Sequence, residues 1–163
     1  MSEPDREVLL RRLSGARRHI LDQLEGLDDG QLRRAVLPSG WSCLGLVRHL
    51  TLSDERYWFE VVVAGREVDL PEDGLSDWVV GEHEQAAEVV GAYRAAVAAA
   101  DDVLAVSDLG APPARTEPWW EQVGLAFPDV RSVVLHVLVE TATHAGHLDA
   151  ARELLDGRRY IVL

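Results

Sequence analysis

The chain has 163 residues, of which 47% are hydrophobic and 27% charged, a balance that excludes wholesale disorder and is long enough to bury a substantial core. Its net charge of −12 argues against a dedicated nucleic-acid binder, because neutralising phosphates requires clustered cations. A single cysteine, Cys43, rules out an intramolecular disulfide and fits a reducing cytoplasm, and no apolar stretch approaches the ~20 residues of a membrane span.

All sixteen basic residues are arginine, a bias typical of GC-rich bacterial genomes. No charged-then-apolar leader opens the sequence, so the expected location is cytoplasmic, in one domain covering 1–163.

The first helical pattern runs from about Asp5 to Leu27. Leu9, Leu13, Ala16, Ile20, Leu24 and Leu27 recur at three- and four-residue steps. Arg11, Arg12, Arg17, Arg18 and His19 then read as a solvated stripe opposite that apolar face. A break follows to Gly40, with a short helix expected around Asp29 to Ala35.

Ser42 is a suitable N-cap for a second helix that continues to about Ala64, where Gly65 ends it. A single stripe joins Leu46, His49, Leu50, Ser53, Tyr57 and Glu60, which turns His49 inward among apolar neighbours. Residues 65–80, with Gly65, Pro71 and Gly74, read as a loop. A third helix is expected over Gly81 to Ala105, burying Val89, Tyr93, Ala96, Val97, Ala100 and Leu104.

The connection from Val106 to Pro128 holds Pro112, Pro113, Pro118 and the pair Trp119-Trp120. Irregular stretches of that length are uncommon in compact domains and are often functional. The tryptophans read either as a hydrophobic lid on the core or as the wall of a ligand pocket. Asp129 caps a fourth helix that runs to Asp156, and Gly157 closes it. No alternating strand pattern occurs, so the fold class is all-α, a four-helix bundle with a long loop before the last helix.

That last helix carries the chemistry. Glu140, His144 and His147 recur at helical spacing and share a face, with His136 one turn earlier on the same side. Imidazole nitrogen and carboxylate oxygen are first-choice ligands of zinc and similar cations, and catalytic sites commonly take three protein ligands. A Glu-x-x-x-His pair supplies two, and His49 on the second helix is the best third. The same residues also read as helix-surface or hydrogen-bonded core groups that happen to align.

His136 lies about 12 Å along the axis from His144, too far for both to bind one ion. His147 is within reach, either as a fourth ligand or as a base facing substrate. His83-Glu84-Gln-Ala-Ala87 superficially resembles the His-Glu-x-x-His zinc motif, but Ala87 stands where the second histidine is needed. Cys43, at a helix start with no base nearby in sequence, reads as a small buried side chain.

Three segments together resemble the DinB-like superfamily, specifically its actinobacterial mini-circle-protein branch. They are Trp41-Ser-Cys-Leu-Gly-Leu-Val-Arg-His49-Leu, Glu55-Arg-Tyr-Trp58-Phe, and Glu140-Thr-Ala-Thr-His144-Ala-Gly-His147-Leu-Asp with Arg152-Glu-Leu-Leu-Asp-Gly157. The resemblance covers nearly the whole chain. It implies a four-helix bundle with a divalent metal, zinc or nickel, held by the second and last long helices. Many relatives carry His-x-x-x-His in the last helix; here Glu140 takes the first position, a version similar to mycothiol-dependent maleylpyruvate isomerases. The resemblance thus assigns the metal to His49, Glu140 and His144 and leaves His147 as a catalytic adjunct.

The activity it implies is a mycothiol-type thiol S-transferase or isomerase acting on an electrophilic small molecule, with a homodimer plausible. A metal-stabilised, non-catalytic helical stress protein is the competing expectation.

Overall fold

The computed structural model describes residues 3–71, 73 and 75–160; Gly74 of the expected loop lies outside them. The described residues are helices and connections without a strand. Helix α1 spans Glu3–Leu24 and ends before Gly26, which adopts φ 81°. Helix α2, Asp29–Arg33, is capped by Asp28, whose side chain accepts from the Gln31 N–H while the Gln31 side chain accepts from the Asp28 N–H.

Helix α3, Cys43–His49, starts at Ser42, whose hydroxyl accepts from the Gly45 N–H at 3.1 Å. It continues without a break into a wider, π-type segment, Leu50–Val63, and Gly65 follows with φ 68°. A short 3₁₀ turn covers Ser76–Trp78. Helix α4 is Ala86–Val106, α5 is Trp119–Gln122 and α6 is Val130–Asp156, capped by Asp129 and closed by Gly157 at φ 80°.

Helix α1 packs on α6, and the π-type segment packs on both α4 and α6. The four long elements expected from periodicity therefore form the bundle. Helix α4 starts later than Gly81, because residues 81–84 form a turn in which the Glu84 carboxylate accepts from the Gly81 N–H at 2.7 Å.

The connection from Ser107 to Pro128 is pinned, not free. The Arg115 N–H donates to the Val62 carbonyl, and the N–H groups of Val130 and Arg131 donate to Ala111 and Leu109. Its two tryptophans divide the expected roles. Trp120 is buried against Trp58 and Phe127, while Trp119 is 43% exposed and lines a cavity.

The apolar core has two halves. One gathers Leu13, Trp58, Phe59, Ala100, Leu104, Val133 and Val137; the other gathers Ile20, Leu44, Leu46, Leu50, Tyr93, Leu148 and Ala151. Between them, on three of the long elements, fall buried polar residues: Arg17 on α1, Asp54 and Glu55 on the π-type segment, and Thr141 on α6.

Arg17 corrects the expected solvated stripe, being only 3% exposed. Its guanidinium grips Glu55 through two hydrogen bonds of 2.8 and 2.5 Å and reaches Asp101 at 2.7 Å, joining α1, the π-type segment and α4. Bidentate pairing and Phe59, whose ring centre lies 5.4 Å away, offset part of the cost of burying this charge. His19 also departs from expectation. It is half-buried, 2.7 Å from Asp149 and stacked on Tyr160.

Candidate functional site

His49 stands at the junction where α3 widens into the π-type segment, a kind of irregularity often found at functional sites. The Leu50 N–H is shared between the carbonyls of Leu46 and Val47, and by the end of the segment the Ala64 N–H reaches back five residues to Phe59. Widening shifts the inward face. Thr51, Asp54, Glu55 and Trp58 are buried, while Ser53 and Tyr57, expected on the inward stripe, are half-buried beside a cavity.

His49 is fixed from two sides. Its Nδ1 donates to Asp77 Oδ2 at 2.7 Å, and its ring stacks on Trp78 with centres 4.1 Å apart. The Ser53 hydroxyl donates to the same Asp77 oxygen at 2.5 Å. A carboxylate on Nδ1 directs the other nitrogen, Nε2, toward a ligand, the arrangement found where a carboxylate orients a metal-binding histidine.

Asp77 and Trp78 lie on the 3₁₀ turn within the stretch expected to be loop. The turn can approach α3 because Gly45 has no side chain; a Cβ there would lie 2.5 Å from the Trp78 carbonyl oxygen. Asp73 holds the turn's start, accepting from the Leu75 and Ser76 N–H groups at 3.0 and 2.6 Å.

On α6, His144 meets His49 edge-on, ring centres 5.1 Å apart, and His144 Nε2 lies 3.9 Å from Glu140 Oε2. Burial, followed by the neighbouring His49 and His147, pushes His144 down to about 4, so its ring is neutral at physiological pH. Its Nδ1 is buried without a hydrogen-bond partner among the described residues. His147 is exposed one turn on, its ring 5.6 Å from that of His144 and 6.3 Å from that of Trp41.

His136 packs edge-on against Trp58 and Phe127, and burial lowers its pKa. His83 is exposed. Cys43 is buried and its thiol is pushed up to about 11 by desolvation, the opposite of a reactive cysteine.

Donor chemistry decides whether these residues fit a divalent ion. Two imidazoles and a carboxylate make a nitrogen–nitrogen–oxygen set of the kind that borderline cations take, and the orphaned nitrogen of His144 marks a polar group awaiting a partner. The set fits in type and neighbourhood. It is not a closed shell: among the described residues no three His, Cys, Asp or Glu side chains stand arranged to hold an ion.

Beside His49 and Glu140 opens a cavity of about 440 Å³. Leu52, Tyr57, Trp58, Leu70, Pro71 and Trp119 supply its apolar wall, and Ser53, Asp54, Asp73, Asp77, His136 and Glu140 its polar side. Asp54, Asp77, Trp78 and the helix widening were absent from the sequence reading; the only signal available was the acidic character of 73–77. The buried Asp54 carboxyl is raised well above the ordinary aspartate range, first by desolvation, then by Glu55, Glu140 and Asp77, with Arg17 opposing.

A bundle without a strand among the described residues, with histidines from its second and last long helices beside a cavity, defines a helical protein of the DinB-like type. The family model of mycothiol-S-transferase matches residues 8–157, and the chain belongs to that family. No curated protein and no solved structure matches the chain. No helix among the described residues is long and apolar enough to cross a membrane.

Proposed function

We propose that this protein, acting as a single domain over 1–163, is a metal-dependent S-transferase joining mycothiol to an electrophilic small molecule. The observation that carries the reading is the meeting of His49 and His144, 5.1 Å apart, with Glu140 one turn away on the edge of an aromatic-walled cavity. Family membership supplies the thiol. Residues His49, Glu140 and His144 would hold zinc or nickel, and such an ion when bound lowers the pKa of a thiol so that a thiolate is available at neutral pH.

This chain's own residues do the rest. Asp77 holds the His49 ring in one tautomer and orientation. The cavity wall of Trp58, Tyr57 and Trp119 excludes water and binds an apolar electrophile. His147, exposed beside His144, takes the thiol proton to solvent. The sulfur lone pair forms the new C–S bond as the leaving group departs with its bonding pair, or, with an unsaturated acceptor, as a proton is added to the neighbouring carbon. No nucleic acid or membrane takes part.

Metal analysis of tag-free protein followed by a conjugation assay tests the reading. About one zinc or nickel ion per chain is expected, with metal-dependent loss of mycothiol in the presence of 1-chloro-2,4-dinitrobenzene and release of chloride. Protein that takes up no metal at saturation removes the proposal. The competing reading is a non-catalytic metal-stabilised protein. It requires that stripping the ion lower Tm while no conjugate forms with any electrophile tested.

A further inference from the structure

The cavity beside His49 and Glu140 is strongly one-signed. Asp54, Asp73, Asp77 and Glu140 all line it, whereas no arginine does among the described residues, and the chain contains no lysine. Two of these carboxylates are more than nine-tenths buried, Asp54 and Asp77 each being 4% exposed. Each has one oxygen, Asp54 Oδ2 and Asp77 Oδ1, with no hydrogen-bond partner among the described residues. Buried carboxylate oxygens left unpaired are costly, and a site that keeps two of them needs a donor from outside.

A metal ion does not supply that donor. A divalent cation shared by His49, Glu140 and His144 leaves one positive charge after Glu140 is counted, and Asp73 and Asp77 outweigh it before Asp54 is counted. Apart from His49, Ser53 and His136, the remaining wall is aromatic and aliphatic, with Tyr57, Trp58 and Trp119 presenting ring surface beside the carboxylates. Aromatic faces next to buried carboxylates favour one ligand chemistry above others, an organic cation whose charged N–H groups meet oxygen and whose carbon body meets rings.

We infer that this cavity selects a hydrophobic molecule bearing a protonated amine, whose ammonium group is received by the free carboxylate oxygens of Asp54 and Asp77. The inference rests on the S-transferase reading only in making that molecule the electrophilic co-substrate; the binding chemistry is independent of it. The repulsion that Glu55, Glu140 and Asp77 exert on Asp54 is relieved when a cation arrives. An anionic electrophile is rejected by the same groups.

Three probes that share a phenylethyl body and lack an electrophilic leaving group test this on tag-free, full-length protein: 2-phenylethylammonium, 2-phenylethanol and 3-phenylpropionate. Binding is read from the fluorescence of the cavity tryptophans Trp58 and Trp119. The ammonium probe is expected to bind about tenfold or more tighter than the alcohol, a margin set by a charge-assisted hydrogen bond, and the carboxylate probe more weakly than either. Asp54→Asn is expected to reduce the preference for the ammonium over the alcohol, and Trp119→Ala to weaken both.

Equal binding of ammonium and alcohol by the wild-type protein overturns the inference without recourse to any variant, and so does a preference left undiminished by Asp54→Asn. Thiol conjugation without ammonium preference removes this inference and leaves the S-transferase reading standing. Ammonium preference without conjugation keeps the cavity's ligand class and removes the S-transferase reading.

Discussion

Asp77, on a 3₁₀ turn 28 residues further along the chain, accepts the Nδ1 proton of His49 at 2.7 Å and so decides which nitrogen of that ring is free. Removing such an orienting carboxylate typically costs 10–100-fold in metal affinity. Asp77→Ala is therefore expected to weaken zinc binding by about that factor, read by competition with a chromophoric chelator. Unchanged affinity would mean that His49 is not a ligand. Far-ultraviolet circular dichroism should stay as in the wild type, because the bundle helices do not depend on this turn.

Gly45 makes the same contact testable from the other side. An added Cβ would sit 2.5 Å from the Trp78 carbonyl oxygen, and that neighbour is backbone, which cannot swing aside as a flexible side chain does. Gly45→Ala is expected to push the turn away from α3 at a cost of about 1–3 kcal/mol, in line with overpacking of well-filled sites. Tm falls accordingly, and zinc affinity falls with it as Asp77 is carried off His49. Loss of stability with undiminished zinc affinity would separate the turn from the site.

Local signals made the bundle legible: Ser42 and Asp129 cap helices, Gly65 and Gly157 follow their ends, and the apolar periods of α1, α4 and α6 mark the buried faces. The juxtaposition of His49 with the His144 turn was legible too, because helical spacing places each on a definite face. What escaped depends on partners distant in sequence. Arg17 reads as one of a charged run until Glu55 and Asp101 are brought to it. Asp77 reads as loop until Gly45 lets its turn approach. Asp54 fell off the inward stripe because the 3.6-residue repeat does not hold where the helix widens.

Arg17 and Glu55 are buried together, with side chains 4% and 1% exposed. Breaking one half of such a pair strands the other charge, which typically costs about 3–5 kcal/mol. Arg17→Met is expected to lower unfolding stability by that amount in urea titrations. The double substitution Arg17→Met with Glu55→Leu should recover most of it, because an apolar pair carries no stranded charge. Asp101, whose side chain is 61% exposed, contributes under about 1 kcal/mol, so Asp101→Asn should be nearly silent. A double variant no more stable than Arg17→Met would show that the pair is held by shape and not by charge.

Asp54 gives the pH signature. Desolvation and the carboxylates of Glu55, Glu140 and Asp77 raise its pKa in the folded chain above the unfolded value. The folded state therefore binds this proton more tightly, so the associated stability is fully present below the ordinary aspartate pKa and is lost as pH rises through the folded value. At neutral pH the carboxyl costs stability relative to a neutral isostere. Asp54→Asn is thus expected to raise Tm by about 3 °C at pH 7.5, which corresponds to about 1 kcal/mol for a chain of this size. The gain should shrink as pH is lowered and approach zero about one unit below the ordinary aspartate pKa of about 3.9, where the wild-type group is protonated in both states. Thermal melts of both proteins across that range check the sign: a variant destabilised at pH 7.5, or stabilised equally at every pH, would mean that Asp54 finds a partner for its charge inside the fold.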